Sequence, residues 1–366
     1  SYDLSRMRNR VIYDLAREMG VPYGVECAYA DVYFNGEYAG NYLLCERIEV
    51  AKGRMEIGNG CLMEGVFYSR VEEEEEYSTF LGSKAGWYEI KYPKNISDER
   101  LEEIQALMDK TVSLIEQSGS YEAYEQLKDL VDIESFIQMF LLDELSNEAD
   151  LNRASTFYFT ADDGRLYAGP VWDYDRSLGN VKSSQYELLD CFTVGLGETL
   201  FRSPYFRQDV AESYNARYKD LMENYASEYI EQTQKEIAAS IAMDEIRWGG
   251  EADNKYTIFN DTYDTFDEGV AYLKDYYELR YRLIDDILND PGKYRQVEFV
   301  NTGATTEYVS QRLWVRHGEM IPEDVMDYLA QRYESDVWLD EDGGTYQPSP
   351  VVSDVRLLSA KTGEEP

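Results

Sequence analysis

The residues best suited to do chemistry lie between Asn147 and Asn180. The segment opens Asn147-Glu-Ala-Asp150-Leu-Asn152-Arg-Ala-Ser155, runs through Phe157-Tyr-Phe-Thr160 and turns at Ala161-Asp-Asp-Gly164. It returns along Arg165-Leu-Tyr-Ala168 and closes with Gly169-Pro-Val-Trp172-Asp173-Tyr-Asp175-Arg-Ser-Leu-Gly179-Asn180. A hairpin brings the chain back to its starting end, so Asp150 before it and Asp173 after it should emerge close together. Carboxylates gathered without a counter-charge repel and raise one another's pKa. A bound divalent cation removes that penalty, and Mg²⁺ favours one or two carboxylates plus phosphate oxygens. An Asp-rich turn can also simply cap a helix or hold a structural Ca²⁺.

Other chemistries are narrowed by what the chain lacks. His317 is the only histidine and lies near the C-terminus, so Ser-His-Asp and Cys-His mechanisms have no base in the main body. Zinc sites built on His pairs fall with it, which leaves hard metals on oxygen ligands. Cys27, Cys45, Cys61 and Cys191 show no CxxC spacing. Cys27 and Cys45 fall in neighbouring strand-like segments and could pair, although free thiols are the preferred reading. The order helix, loop, hairpin, Asp is the one by which protein kinases present a catalytic-loop Asp and a metal-binding Asp. Phosphoryl transfer needs mainly a positioned hydroxyl and neutralised phosphates, which a histidine-free site can supply.

The composition sets outer bounds. Over 366 residues the formal charge is −37, which removes the basic stripe that nucleic-acid binding requires. Such a surface favours cations or basic proteins, and solubility alone explains it equally well. No apolar run is long enough to span a membrane. A chain of this length predicts about two domains.

The elements that must position the carboxylates can be read from periodicity. Residues 3–20 form an amphipathic helix on Leu4, Met7, Val11, Leu15 and Met19, with Asp3 as N-cap and Gly20 as its stop. Residues 27–34 alternate as a strand, Asn35-Gly36 marks a hairpin, and Ala39–Cys45 returns. Short strands continue to about residue 93, with Glu72–Glu76 as a solvated loop. Ser97 and Asp132 then cap two helices, the second carrying Glu144 on its apolar face. Residues 205–245 and 265–289 are helical. Beyond Pro291-Gly292, strands at 297–300, 308–315, 337–338 and 355–359 surround one helix at 322–333.

Several segments together resemble the spore-coat-protein-H (CotH) family of kinase-like proteins. They are the Asn35-Gly36-Glu37-Tyr38-Ala39-Gly40-Asn41-Tyr42-Leu43-Leu44-Cys45-Glu46 hairpin, Asp150 with its Asn-rich surroundings, and Pro170-Val-Trp-Asp173-Tyr-Asp175 with Gly179. Arg247-Trp248 and the late helix around Arg280 are in character. The resemblance implies an α+β, atypical protein-kinase-like fold over residues 1–292, with a small β-rich lobe and a larger helical lobe. It implies ATP with Mg²⁺ or Mn²⁺, and transfer of the γ-phosphate to serines of secreted or coat proteins. By that resemblance Asp150 matches the catalytic Asp and Asp173 the metal-binding Asp, with Asp175 as a second metal ligand. Ser155 stands where kinases carry a metal-binding Asn, with Asn152 as a possible substitute. The strand ending at Glu46 would approach the adenine, making Glu46, Arg47 and Ile48 candidates for backbone contacts. The family carries upstream strands with a phosphate-contacting Lys, so the N-terminal lobe is expected to be incomplete here; Lys91 and Lys94 are the nearest cations.

Residues 296–362 resemble the β-grasp repeats on surface proteins of Gram-positive bacteria, through Gly318-Glu-Met-Ile-Pro, Val337-Trp-Leu-Asp-Glu-Asp-Gly343 and Pro350-Val-Val-Ser-Asp-Val-Arg-Leu-Leu. That implies an exported protein, on the cell surface or the spore coat. The expectation is a metal-dependent serine kinase with a basic, Ser-rich protein substrate. The alternative is a non-catalytic surface or cell-wall binding protein whose carboxylates hold a cation, with two-carboxylate glycosidase chemistry as a third reading.

Overall fold

Apolar spacing at the start of the chain produces α1 (Arg8–Met19), which buries Val11, Ile12, Leu15 and Ala16. It ends at Gly20, whose φ of 83° is left-handed, a common helix stop. Asp3 does not act as the expected N-cap, because Met7 occupies that position. Its carboxylate instead accepts from Ser5 N, Ser5 Oγ and Arg8 N, folding residues 3–8 into a tight lead-in. The computed structural model describes residues 3–74, 78–148, 154–181, 195–249, 263–303 and 310–361. Asp150, Asn152 and Cys191 lie outside the described residues. The chain divides into two compact units, Ser1–Val181 with Val194–Glu278, and Lys182–Thr193 with Leu279–Pro366.

In the first unit, β1 (Cys27–Phe34) and β2 (Glu37–Cys45) form the expected hairpin about Asn35-Gly36, with a bulge between Val32 and Tyr33. Next come β3 (Leu62–Val66), α2 (Tyr68–Glu74), β4 (Phe80–Ser83) and β5 (Gly86–Tyr92). Glu72, Glu73 and Glu74 therefore lie on a helix and not in the expected loop, while Glu75 and Glu76 lie outside the described residues. Val71, buried on the same helix, supplies the apolar anchor. Helices α3 (Asp98–Gln117), α4 (Tyr121–Leu130) and α5 (Ile133–Ser146) follow. Ser97 Oγ accepts from Arg100 N at 3.2 Å and Asp132 Oδ1 from Ser135 N at 2.9 Å, the two caps read from sequence.

The chain then returns to the sheet as β6 (Phe157–Thr160) and β7 (Leu166–Ala168), completing an antiparallel order β4-β5-β3-β6-β7. Helix α5 is apolar almost all round, burying Phe136, Ile137, Phe140, Leu141 and Leu145, and it contacts both α1 and β7. It is thus the central support for the hairpin ends. A helical run follows: α6 (Gly195–Phe201), α7 (Pro204–Ser213), α8 (Lys219–Asn224) and α9 (Ile230–Trp248), with π-helical turns at Tyr214–Tyr218 and Tyr225–Tyr229. Helix α10 (Phe266–Asn289) contains the division between the units.

The second unit carries β8 (Tyr294–Val300), β9 (Ser310–Arg316), α11 (Glu323–Arg332), β10 (Val337–Leu339) and β11 (Val355–Ala360). Its sheet runs β10-β11-β8-β9, with β11 parallel to β8 and the other pairs antiparallel. Val297, Phe299, Leu313 and Leu357 from the sheet share a core with Val325 and Leu329 of α11. His317 is exposed at the end of β9. Helix and sheet are mixed throughout, the α+β class expected. Among the described residues no helix is long and apolar enough to cross a membrane.

Arg8 is fully buried at 0% exposure and saturates its guanidinium. It pairs with Asp3 and donates to Ser177 O at 2.9 Å, Leu178 O at 3.2 Å and Tyr263 Oη at 3.0 Å. Removing one partner of a buried ion pair leaves the other desolvated and uncompensated. Arg8→Ala is expected to lower unfolding free energy by about 3–5 kcal/mol, read from urea denaturation. A loss below roughly 1 kcal/mol, the range of surface pairs, would show that the network bears little of the fold.

Candidate functional site

The β6–β7 hairpin delivers the chain to Trp172, whose ring stacks on Tyr13 of α1 at 6.1 Å and 11°. Asp173 follows in the left-handed region, with φ of 63°. Asp tolerates this conformation better than most residues, yet something must hold it there. Helix α1 does so through two side chains one turn apart. The Asp173 N–H donates to Tyr13 Oη at 3.0 Å, and the Tyr174 N–H donates to Asn9 Oδ1 at 2.6 Å. The Asp173 carboxylate is left exposed. Among the described residues its hydrogen bond is with Ser155 Oγ, which donates to Oδ2 at 3.3 Å. The two ends of the hairpin therefore meet, at Ser155 and Asp173.

Behind this edge lies a half-buried acid. The Tyr174 hydroxyl donates to Asp143 Oδ1 at 2.8 Å. Burial pushes the Asp143 carboxyl up to about 8, with the Glu144 charge adding to the rise and the Tyr174 bond opposing it. Glu144 is itself 7% exposed, so it does not reach for water from the apolar face of α5. Asp143, Ser155, Trp172 and Asp173 line a depression of about 10 Å³, enough for one water. Gly179 closes the motif with φ of 74°, and a Cβ there would fall 2.6 Å from Tyr276 Cδ2. Only glycine suits both the conformation and the space.

Asp175 opens onto a different space. It lines a cleft of about 930 Å³ with Arg6, Asn41, Tyr42, Asp244 and Trp248 among its walls. That volume is near the upper end of small-molecule sites. Asp244 pairs with Arg6 at 2.9 Å and accepts from Asn41 N at 2.9 Å. Trp248 Nε1 donates to Ala39 O at 3.1 Å, and Arg247 lies 4.2 Å over the Trp248 ring. These contacts give the Arg247-Trp248 pair of the sequence a physical role. Helix α9 grips β2 through them.

The segment after β2 is anchored by Arg54, a residue the sequence did not single out. Its guanidinium pairs with Glu46 at 3.4 Å and donates to Arg47 O at 3.0 Å. Glu46 also accepts from Glu26 N at 3.0 Å. Ile48 packs against the cluster of Met55, Phe157 and Phe159, where Trp172 also packs. Lys91 on β5 bonds Glu64 at 3.0 Å and Glu89 at 3.1 Å, while Lys94 is exposed. Burial alone would lower the Lys91 pKa, but these two carboxylates outweigh it and raise it, so the ammonium stays charged. Glu64 faces Phe157 across the sheet, two residues from Ser155.

The sequence pattern of the family described as CotH kinase protein matches residues 1–284. The chain belongs to that family. No curated protein matches it. Membership makes a kinase-like activity the frame for the site. Asn9 and Tyr13 position the Asp173 motif and Arg54 the segment after β2, yet none of the three stands in a motif read from the sequence. Asn9 and Tyr13 are simply two hydrogen-bonding residues four apart on an amphipathic helix. Among the described residues no group of three or more His, Cys, Asp or Glu side chains gathers as a metal site. The exposed Asp173 carboxylate nevertheless offers hard oxygen donors fixed from behind, which fits Mg²⁺ or Mn²⁺.

The half-buried acid supplies a test that needs no substrate. Between about pH 4 and about pH 8 the folded protein keeps a proton on Asp143 that the unfolded chain has released. Stability contributed this way is therefore lost as pH rises through that window, by up to about 1.4 kcal/mol per pH unit. Thermal melts of the native chain should fall in midpoint from about pH 5 to about pH 8, and Asp143→Asn should flatten the slope. Equal slopes in the two proteins would remove Asp143 from the account.

Proposed function

We propose that this chain is an atypical protein kinase of secreted or coat-associated type, transferring the ATP γ-phosphate to serine of protein substrates. The observation that carries the reading is Asp173. Its backbone is clamped by Asn9 and Tyr13 of α1, and its carboxylate is presented beside Ser155 at the open end of the β6–β7 hairpin. Asp173 would hold Mg²⁺ or Mn²⁺, with Asp175 as the second carboxylate candidate from the border of the large cleft. Bound there, the metal would neutralise phosphate charge. Asp150 is assigned to accept the proton of the substrate hydroxyl, with Asn152 and Ser155 in supporting positions.

Lys91 is the best-supported phosphate partner, since kinases use a lysine held by a glutamate and Lys91 is held by Glu64. Glu46, Arg47 and Ile48, fixed by Arg54 and the Trp172 cluster, offer backbone groups for an adenine. The net charge of −37 favours a basic, Ser-rich substrate. The α+β body corresponds on this reading to the two lobes of a kinase over residues 1–292. Residues 296–362, with a four-stranded sheet and one helix, correspond to a β-grasp-like surface module.

Calorimetry of the full chain with ATP tests the site directly. Binding should require Mg²⁺ or Mn²⁺ and should be lost in Asp173→Ala. Asp150→Ala should keep that binding while lowering phosphate transfer to a basic Ser-containing peptide by roughly 10²–10⁴-fold. Absence of metal-dependent ATP binding in the native chain would overturn the proposal and favour a non-catalytic binding protein.

A further inference from the structure

The β1–β2 hairpin sets Cys27 directly opposite Cys45. The neighbouring pair, Glu26 and Glu46, is joined by the Glu46 N–H donating to Glu26 O at 2.9 Å. Hydrogen-bonded and non-hydrogen-bonded pairs alternate along an antiparallel ladder, so Cys27 and Cys45 form a non-hydrogen-bonded pair. In such pairs the Cα atoms lie about 4.5 Å apart and the side chains stand close on one face. That separation falls within the range a disulfide spans. Both residues are free thiols, and both are half-buried rather than sealed in the core.

The two sulfurs are also chemically unequal. The Cys45 sulfur opposite pushes the Cys27 thiol up, and burial adds to the rise. The neighbouring Cys27 holds Cys45 below the ordinary thiol value despite its own burial, with the Arg10 guanidinium assisting. Arg10 is fixed close by, donating to Cys27 O at 2.6 Å. One sulfur is thus favoured as thiolate and the other as a thiol in reserve. Cys61, by contrast, is buried in the first unit and its thiol is pushed up to about 12 by burial.

We infer that Cys27 and Cys45 form a reversible dithiol–disulfide couple at the base of the hairpin, oxidised by small-molecule disulfides with Cys45 as the attacking sulfur. The Cys45 thiolate attacks one sulfur of the small disulfide, forming a mixed disulfide and releasing one thiolate. Cys27 then loses its proton, attacks Cys45 Sγ and expels the second thiolate. The two cysteines are oxidised to one disulfide, and one small disulfide is reduced to two thiols. The link closes the hairpin at the residue before Glu46.

The test uses the full chain in mixtures of reduced and oxidised glutathione, with free thiols then blocked by an alkylating agent and peptides mapped without reduction. A crosslinked peptide pair joining Cys27 to Cys45 is expected, with Cys61 alkylated after unfolding. Cys27→Ser should stop at a glutathione adduct on Cys45. Cys45→Ser should leave Cys27 unmodified for at least roughly tenfold longer, since thiolate fraction governs attack. Full alkylation of both cysteines in the native chain at the most oxidising ratio would overturn the couple. A crosslink from either cysteine to Cys61 or Cys191 would overturn it too, and glutathione accumulating first on Cys27 would overturn the assigned order.

Discussion

A guanidinium at 0% exposure is tolerable only when each of its donors is used, and Arg8 meets that condition with groups from three separate stretches of chain. Asp3 lies before α1, Ser177 and Leu178 end the Asp173 loop, and Tyr263 stands before α10. Tyr263 also donates to Asn180 Oδ1 at 2.9 Å, and Asn180 Nδ2 donates to Asp175 O at 2.7 Å. The loop from Trp172 to Asn180 is therefore built against α1 rather than standing free. Once Arg8 fixes the register, Asn9 and Tyr13 meet the Tyr174 and Asp173 N–H groups, and the Asp173 carboxylate has one direction to face.

The outline of this arrangement was legible in the residues because it depends on local chemistry. Asn35-Gly36 named its hairpin, Ser97 and Asp132 named their helices, and the Phe157–Ala168 segment named the hairpin from which Asp173 emerges. Family membership over residues 1–284 agrees with the motifs read at Asn35–Glu46 and Pro170–Gly179. What stayed hidden depends on tertiary partners. Asp3 looks like a cap but spends its carboxylate on Arg8, and Glu72–Glu74 look like a loop until Val71 finds a core. Nothing in their own neighbourhoods marks Arg54 as the clamp on Glu46 and Arg47, or Asp143 as the acceptor for Tyr174.

The motif Trp172-Asp173-Tyr174-Asp175 shares its residues between separate environments. Trp172 packs in the apolar cluster with Ile48, Tyr174 reaches the half-buried Asp143, Asp173 is exposed at the hairpin's end, and Asp175 borders the large cleft. Alternation along an extended chain would put Asp173 and Asp175 on one side, and the left-handed residue at Asp173 breaks that pattern. The left-handed turn at Asp173 adds a change of direction that spacing alone does not reveal.

The grip of α9 on β2 has a further consequence for how the chain behaves among its neighbours. A two-stranded ribbon presents outward-pointing N–H and C=O groups, a template on which another strand could assemble. Residues 39 and 41 point those groups to the same side, away from β1. There Trp248 supplies a donor to Ala39 O and Asp244 supplies an acceptor for Asn41 N, while Gly40 between them has no Cβ to keep the helix away. Two side chains thus stand in for the missing third strand. They occupy the edge at its middle, so an incoming strand would have to break bonds already made before it could add to the ribbon.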